Sequence, residues 1–488
     1  MNDNSALAQL RDLFLSHLGR LGVIDDDTQL HAYSCDGLTG WRAVPGLVVL
    51  PTNTAEVALV VKGCYDLGVP FVARGSGTGL SGGALPASDG VLIVTTKMRS
   101  ILEIDPLNQL IVVEPGVINA SITAAVAPYN LYYAPDPSSQ IVCSIGGNVA
   151  ENSGGAHCLK YGFTTNHVIG MEVVLPDGTI TTFGSDVVET PGFDLRGVLI
   201  GSEGTLGIVT KVYLRLLRKP EAVKTLVADF ASVEDAGEAV SAIVAAGIVP
   251  AAIEMMDYLA IIACEEATGA GYTVGAPAAL IVEVDGPEVE VDESFERVLV
   301  ACRANNTTKI RVASSDQERI AIWKGRKAAF AAVGRLSPAY LVQDGVIPRT
   351  ALSRVLAKMS ELSQLAQLRV ANVFHAGDGN LHPLILYNPE LPGELHRAEQ
   401  LATDIVLLCV AEGGSITGEH GVGVDKACSM TKMFSQSDLD TMDKLRRAFD
   451  EKGISNPGKL FPTPRLCGEK SGQYQPHSVE LAGEAERW

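Results

Sequence analysis

Apolar positions along the chain recur with the spacing of a strand in some segments and with the spacing of a helix in others. In its first part the pattern predicts strands at residues 47–50, 69–72 and 90–96, a helix at residues 55–67 and an amphipathic helix within residues 1–22. Asn53 and Thr54 precede the helix at residues 55–67 as capping residues. Beyond Leu92 strand patterns dominate, and Asp177-Gly178 between two of them predicts a tight hairpin turn.

The second half of the chain alternates strands with longer helices. The pattern predicts strands at residues 224–230 and 278–286 and helices at residues 233–246, 292–305, 352–366 and 394–412. Composition changes near Lys219-Pro220, which marks a predicted domain boundary. Residues 135–155 and 201–207 are predicted to be rich in loops, and the polar stretch from Pro462 on is predicted to be a loose tail. The fold class is therefore α+β.

Composition limits the classes of partner. The chain has 488 residues and a net charge of −19, which argues against nucleic acid and anionic membrane as electrostatic partners. Its nine cysteines are scattered without a C-x-x-C pair, so no iron–sulfur or zinc-ribbon site is indicated and a reducing compartment is favoured. Neither a signal peptide nor a transmembrane segment is predicted. We expect a cytoplasmic protein, with peripheral association at the inner membrane left open.

A glycine-rich stretch, RGSGTGLSGG at residues 74–83, follows the second predicted strand. Such a backbone brings N–H groups close to an anion, so a phosphate-bearing cofactor is the first hypothesis. Gly77, Gly79 and Gly82 also spell G-x-G-x-x-G, but the dinucleotide fold needs a helix there, and Pro86 follows instead. A surface turn without a ligand is the remaining alternative.

A second cluster of polar residues lies far downstream. His375 ends a predicted strand, His382 follows a glycine-rich turn, and Glu419 and His420 lie in GEHGVG. Two imidazoles and a carboxylate can form a divalent metal site, although a single histidine near a strand end is usually structural. Because neighbours in an extended segment point to opposite sides, Glu419 suits the metal and His420 a general base. Arg326 is a candidate carboxylate anchor or a solvated helix arginine.

These motifs together resemble a known family. RGSGTGLSGG, PDPSS, SIGGNVAENSGG, KYGFT, GSEGTLGIVT, FHAGDGNLHP, TGEHGVG and NPGKLF occur in the order found in FAD-linked oxidases of the vanillyl-alcohol oxidase class. Within that class the chain most resembles the group that contains the D-type flavin subunit of glycolate oxidase and D-lactate dehydrogenase, with D-2-hydroxyglutarate dehydrogenase as a relative. The resemblance covers about residues 45–462.

The resemblance implies a division into four segments. These are a helical N-terminal segment (1–44), a PCMH-type FAD-binding domain of two α+β subdomains (45–219), a substrate- and metal-binding cap domain with a large antiparallel sheet flanked by helices (220–455), and a segment that returns to the FAD domain before the loose tail (456–488). It also implies flavin contacts at Arg74, Gly75, Ser76, Gly77, Thr78, Gly79, Pro135, Asp136, Ser139, Gly146, Gly147, Asn148, Ser153, Gly154, Tyr161, Gly162, Glu203, Ile208 and Asn456. No histidine lies within residues 74–83, which favours noncovalent FAD.

The family further implies how the second cluster works. His375, His382 and Glu419 would bind a divalent metal, with zinc favoured over other first-row ions. His420 would be the general base, and Arg326 and Asn380 would contact the substrate. The implied reaction oxidises a D-2-hydroxy acid: the metal stabilises the alkoxide, the base takes its proton, and a hydride leaves for flavin N5.

Two positions depart from the hydroxyglutarate relative. Where that relative is expected to place a threonine and a lysine for its substrate, this chain has Phe330 and Val342. Apolar side chains would leave a second carboxylate unpaired, so a monocarboxylate, D-lactate or glycolate, is expected. Electrons must then pass to a separate acceptor: a quinone, a soluble carrier or a partner subunit with iron–sulfur clusters. A homodimer, a flavin subunit active only within a complex, D-2-hydroxyglutarate dehydrogenase and a non-redox FAD enzyme stay open.

Overall fold

The computed structural model of the chain describes residues 3–187, 192–462 and 486–487. These residues form two compact units. The first unit contains the chain up to Ser153, residues Phe163–Arg218 and the chain from Glu419 onward, and the second contains Gly154–Gly162 and Lys219–Gly418. Among the described helices, none is both long enough and apolar enough to cross a membrane.

The first unit contains a small, mostly parallel sheet. Its strands are ordered Val23–Ile24, Leu47–Val49, Val91–Val94 and Phe71–Arg74. The last three run parallel to one another, whereas Leu47–Val49 runs antiparallel to Val23–Ile24. Leu47 and Val49 pack into one apolar core and Val48 into another. Because both faces are buried, the strands are continuous apolar runs rather than alternating ones.

The first unit also contains a five-stranded antiparallel sheet. Its strands are ordered Ile180–Gly184, Val168–Val174, Ile208–Arg215, Leu110–Val113 and Ile101–Asp105. The predicted hairpin is confirmed, with Ile180 paired to Val174. Gly178 has a φ of 88° in the connecting turn, and Asp177 Oδ1 accepts a hydrogen bond from the Thr179 N–H.

Helices and two short strand pairs complete the first unit. The helices are Asp3–Leu18, Asp27–Leu30, Thr54–Leu67, Asn119–Val126, Ile145–Glu151, Leu195–Leu199, Met430–Met433 and Gln436–Phe449. The strand pairs are Leu131–Tyr132 with Leu217–Arg218 and Trp41–Arg42 with Glu486–Arg487. The helix Ile145–Glu151 lies where only loops were predicted. It forms because Ile145 and Val149, one turn apart, pack into the core of this unit.

The second unit is built on one large antiparallel sheet. Its strands are ordered Thr307–Val312, Ala222–Phe230, Ala278–Gly286, Ala252–Asp257, Arg369–His375, Asn380–Tyr387 and Ala339–Val342, with Gly345–Val346 also paired to Asn380–Tyr387. The helices are Cys158–Tyr161, Val233–Ala245, Tyr258–Thr268, Glu288–Ala304, Asp316–Lys327, Ala329–Val333, Leu352–Ala366 and Glu394–Ala411. Alternate residues of the central strands pack into two cores, one on each face.

Most predicted elements of the second unit are confirmed. The strand at residues 278–286 and the helix at residues 352–366 have the predicted limits. The helix predicted at residues 292–305 begins earlier, at Glu288, because Pro287 is its N-cap residue. The α+β class with a large antiparallel sheet flanked by helices is confirmed. The predicted tail lies almost wholly outside the described residues, and the predicted domain limits stay a prediction.

Candidate active site

The glycine-rich stretch begins at the end of strand Phe71–Arg74 and continues as turns. All of residues 75–90 are described and none is helical, so the dinucleotide-fold interpretation of its glycines is wrong. A Cβ atom at Gly75 would lie 2.0 Å from Ser144 Oγ, and the Ser76 N–H donates to that oxygen at 3.3 Å. At Gly79, by contrast, no atom lies within 4 Å of the Cβ position. This turn fits a phosphate-bearing cofactor, because its backbone is approachable.

The second loop region is fixed by buried amide groups. Asn119 Nδ2 donates to Pro135 O at 3.2 Å and to Asn148 Oδ1 at 3.1 Å. Gly146 packs on Pro115, since a Cβ there would lie 2.6 Å from the Cβ of Pro115. The first unit contains the predicted flavin contacts Arg74, Gly75, Ser76, Gly77, Thr78, Gly79, Pro135, Asp136, Ser139, Gly146, Gly147, Asn148, Ser153, Glu203, Ile208 and Asn456.

Three predicted flavin contacts lie in the second unit instead. Gly154, Tyr161 and Gly162 belong to the nine residues 154–162 that pack with it. Tyr161 Oη donates to Asp285 Oδ2 at 2.7 Å, and the Lys160 ammonium forms an ion pair with the same carboxylate. The segment is therefore held to strand Ala278–Gly286.

The turn that carries His420 is held within the first unit. Ser81 Oγ donates to His420 O at 2.8 Å, and Glu203 accepts hydrogen bonds from the Val422 and Gly423 N–H groups, each at 2.6 Å. His420 Nε2 lies 3.7 Å from Glu419 Oε1. A buried carboxylate that accepts two backbone bonds fixes the turn beside the candidate base.

Buried charge surrounds Glu203. Asn456 Nδ2 donates to Glu203 O at 2.6 Å and to Gly83 O at 2.9 Å, and its Oδ1 accepts from Lys459 Nζ at 3.1 Å. Burial raises the pKa of Glu203, although the two backbone bonds lower it. Burial, together with the neighbouring Glu203 charge, raises the pKa of Glu151 well above its usual range. A Cβ at Gly421 would lie 2.1 Å from Glu151 Oε2 and 2.9 Å from Glu203 Oε1, so both carboxylates border this glycine.

The two predicted histidine ligands lie on neighbouring strands of the second unit. His375 is the last residue of strand Arg369–His375 and pairs with Asn380, whereas His382 pairs with Val373. Their ring centroids are 4.9 Å apart and the rings are perpendicular. His382 therefore lies inside strand Asn380–Tyr387, rather than only following the turn.

A buried carboxylate, Glu254, joins His375 to Arg326. His375 Nδ1 and Glu254 Oε1 are 2.7 Å apart, and Arg326 Nη2 forms an ion pair with Glu254 Oε2 at 2.5 Å. The side chains of Glu254 and Arg326 are 0% and 2% exposed. Arg326 is thus a buried residue and not a solvated helix arginine, and its Nε makes no hydrogen bond with the described residues.

A second buried carboxylate, Asp344, lies behind His382. Its Oδ1 is 3.7 Å from His382 Nδ1, and its Oδ2 accepts from Thr417 Oγ1 at 2.6 Å and from the Gly418 N–H at 2.9 Å. Gly418 is joined directly to Glu419 in the chain. Asp344 therefore fixes Gly418, which directly precedes the candidate metal ligand Glu419 and the candidate base His420 in the chain.

The remaining predicted substrate residues lie near His382. Asn380 is buried, and its Oδ1 makes no hydrogen bond with the described residues. The Phe330 ring is edge-on to His382 with centroids 5.9 Å apart, and Val342 pairs with Leu384. These two apolar residues pack with the core on that face of the sheet.

The donor set fits a divalent metal. A carboxylate that accepts from His375 Nδ1 leaves the Nε2 lone pair for a ligand, and metal-bound histidines commonly have such a carboxylate at their other ring nitrogen. Sequence reasoning missed Glu254 and Asp344. A signal existed, since each is an acidic residue within an apolar run, AIEMMD and YLVQDGVI, where an unpaired charge would be costly.

Comparison with known proteins decides the family. A model described as the FAD binding domain matches residues 45–184, and one described as the C-terminal domain of FAD linked oxidases matches residues 219–460. Glycolate oxidase subunit GlcD of Escherichia coli (strain K12) is 49% identical over 484 residues, which cover 99% of this chain and 96% of the relative. The chain belongs to the FAD-linked oxidases.

Other relatives of this FAD-linked oxidase agree. The mitochondrial D-lactate dehydrogenase [cytochrome] of Arabidopsis thaliana is 31% identical over 87% of this chain and 74% of its own length. A solved structure of p-cresol methylhydroxylase with substrate bound has a TM-score of 0.78 at 18% identity, and covers 93% of this chain and 97% of that one. The predicted PCMH-type fold and the prediction of an FAD-dependent oxidoreductase are thereby confirmed. The individual site residues stay predictions.

Proposed function

We propose that this FAD-linked oxidase oxidises a small D-2-hydroxy monocarboxylate, D-lactate or glycolate, to the 2-oxo acid. The observation that carries the proposal is the buried group of His375, Glu254 and Arg326, which pairs a candidate metal ligand with a candidate carboxylate anchor. The relatives named as glycolate oxidase subunit GlcD and D-lactate dehydrogenase support this substrate class.

We assign each step to particular side chains. When bound, FAD accepts a hydride at N5, and a divalent ion, with zinc favoured, supplies positive charge to the substrate hydroxyl. His375, His382 and Glu419 would hold the ion. Arg326 would bind the substrate carboxylate through the donors that Glu254 does not occupy. His420 would take the hydroxyl proton on a ring nitrogen, since a neutral imidazole is basic enough near neutral pH.

Substrate size follows from the apolar residues beside His382. Phe330 lies edge-on to this histidine, and neither Phe330 nor Val342 can pair with a second carboxylate. Leaving such a group unpaired in a buried site costs several kcal/mol. D-2-Hydroxyglutarate is therefore disfavoured relative to D-lactate and glycolate.

Anaerobic reduction of the bound flavin tests this proposal. Purified protein loaded with FAD and a divalent ion is mixed with D-lactate, glycolate, L-lactate or D-2-hydroxyglutarate, and bleaching of the flavin absorbance is followed. We expect D-lactate or glycolate to exceed D-2-hydroxyglutarate in rate constant per concentration by a factor on the order of 10². Faster bleaching by D-2-hydroxyglutarate, or none by any hydroxy acid, contradicts the proposal.

A second candidate is a flavin subunit that is active only within a complex. It is favoured by the similarity to a protein named as a subunit of glycolate oxidase. The chain has no C-x-x-C motif, so electrons would leave through a quinone, a soluble carrier or a partner subunit with clusters. Steady turnover of the isolated chain with an artificial dye favours the first candidate. Flavin reduction without turnover favours the second.

A further inference from the structure

We propose that Glu254 is a positioning residue. Its carboxylate fixes the ring tautomer of His375 and also places a negative charge next to Arg326. This inference rests on the proposed function, since it concerns the metal ligand and the carboxylate anchor of that site. It adds a residue that contacts neither the metal nor the substrate. Glu254 would act through its two neighbours.

The backbone places Glu254 for this role. It lies within strand Ala252–Asp257, directly opposite His375 on the next strand. Its Oε1 is 2.7 Å from His375 Nδ1 and its Oε2 is 2.5 Å from Arg326 Nη2. Arg326 comes from helix Asp316–Lys327. One fully buried carboxylate therefore spans two candidate site residues from different elements.

The chemistry of each partner leaves a single arrangement. A guanidinium is always a cation that can only donate, so the contact of Arg326 with Glu254 Oε2 is an ion pair with the carboxylate. A carboxylate can only accept, so His375 carries its proton on Nδ1 and presents the Nε2 lone pair. The negative charge of Glu254 is balanced by Arg326, which removes the penalty of an isolated buried charge. Glu254 thus determines which ring nitrogen of His375 is left to bind the metal. It also sets the net charge beside Arg326.

A purely structural role would not require a carboxylate at this position. The neighbouring residues Ile253, Met255 and Met256 pack into the apolar cores on either face of the sheet. An apolar residue of similar volume in place of a buried ion pair is often neutral or stabilising. A buried carboxylate that contacts both a histidine and an arginine of the candidate site points to positioning.

The adjacent strand offers a matched control. Glu283 is also a buried carboxylate of this sheet, and it contacts His157 Nε2 at 3.2 Å, Trp323 Nε1 at 2.6 Å and Thr225 Oγ1 at 2.5 Å. None of these partners is a candidate metal ligand or substrate residue. Removing the charge of Glu283 tests the general effect of losing a buried carboxylate.

The decisive variant is Glu254→Gln. Its amide oxygen must face Arg326, so its NH₂ group faces His375 Nδ1, which becomes an acceptor and moves the ring proton to Nε2. The nitrogen needed for the metal is then blocked. We expect the Kd for Zn²⁺ to rise about 10- to 100-fold in Glu254→Gln, as for other changes to residues that orient a metal ligand, and to stay within about twofold in Glu283→Gln.

Competition between metal-free, FAD-loaded protein and a chromophoric chelator measures this Kd without turnover. Folded Glu254→Gln protein that binds Zn²⁺ as tightly as the parent overturns this inference alone. A parent protein that binds no divalent ion overturns the proposed metal site together with the inference. An equal loss of affinity in Glu283→Gln shows a general packing effect and also overturns it.

A measurement on the unmodified protein keeps the inference testable if Glu254→Gln does not fold. In metal-free protein with ¹⁵N-labelled histidine, we expect the His375 signals of a neutral ring protonated on Nδ1. They are assigned by their absence from His375→Gln. Signals of a ring protonated on Nε2 contradict the proposed role.

Discussion

Glu203 of the first unit and Glu254 of the second are both buried carboxylates, but their surroundings differ. In the first unit, burial raises the pKa of Glu151 and Glu203, and burial likewise raises the pKa of Asp36 to about 6. In the second unit, Glu254 is paired with Arg326 and bonded to His375. Burial therefore favours the protonated form of Glu203, although the Lys426 and Lys459 charges oppose it, whereas Glu254 lies in an ion pair with Arg326.

The different surroundings of Glu203 and Glu254 correspond to the different groups that each carboxylate holds in place. Glu203 fixes the backbone of Val422 and Gly423, for which the hydrogen bonds matter and the exact charge matters less. Glu254 orients a ligand ring, for which a carboxylate that only accepts is required. The raised pKa values of Asp36, Glu151 and Glu203 make the stability of the protein depend on pH. The ion pair of Glu254 with Arg326 should make metal binding depend on Glu254 itself.

Removing a ligand should have the largest effect. His375 would hold the ion in the proposed site, so His375→Ala would weaken the binding of the positive charge that a divalent ion would supply to the substrate hydroxyl, which is worth several kcal/mol. We expect the rate constant of anaerobic flavin reduction by D-lactate or glycolate to fall about 10³-fold or more.

His157→Ala is the control for that change, because His157 also contacts a buried carboxylate in the second unit, Glu283. It should leave Zn²⁺ affinity unchanged. A His375→Ala protein that reduced flavin at the parental rate would argue against the metal site.

Asp36 should account for the next largest effect, on stability. Burial raises its pKa from 3.8 to about 6, so its contribution is fully present below 3.8 and is lost as pH rises through about 6. Asp36→Asn should remove that dependence. Over this window we expect the free energy of unfolding in urea to fall by about 3 kcal/mol more in the parent than in the variant. Parallel pH curves for the two proteins would show that Asp36 is not the titrating group.

Glu151→Gln should have the smallest effect on the stability of the protein. It should stabilise the protein, whereas most changes in a core destabilise it. Glu151 Oε2 makes no hydrogen bond with the described residues, and its pKa is raised. A neutral amide removes the repulsion between Glu151 and Glu203. At alkaline pH we expect the variant to be more stable than the parent by about 1–2 kcal/mol in urea unfolding.

Glu203→Gln is the contrasting variant, because it weakens the hydrogen bonds to the Val422 and Gly423 N–H groups and should destabilise the protein. If Glu151→Gln destabilises as much, the two carboxylates are not in conflict.

The parts of the fold and site that the sequence predicted are those with local signals. The strand ending at His375, the hairpin at Asp177-Gly178 and the glycine turn after Arg74 follow from apolar spacing and turn residues. The helix at Ile145 was missed because its two glycines and its asparagine are typical of loops, whereas its packing depends on tertiary contacts.

The parts it could not predict are contacts set by strand order. Glu254 is 121 residues before His375, and they meet because strands Ala252–Asp257 and Arg369–His375 are neighbours in the sheet. No local pattern encodes that pairing. Likewise Glu151 and Glu203 meet at Gly421 only after three distant segments come together. An acidic residue in an apolar run signals that a partner exists, but not which one.

The nine residues 154–162 have a consequence for engineering. They lie within the stretch matched by the FAD binding domain, yet His157 contacts Glu283, and Lys160 and Tyr161 contact Asp285. A chimera that exchanges only residues 219–418 between homologues would therefore separate these acids from their native partners. A chimera should therefore exchange residues 154–162 together with the large sheet. The exchanged part is then discontinuous in the gene.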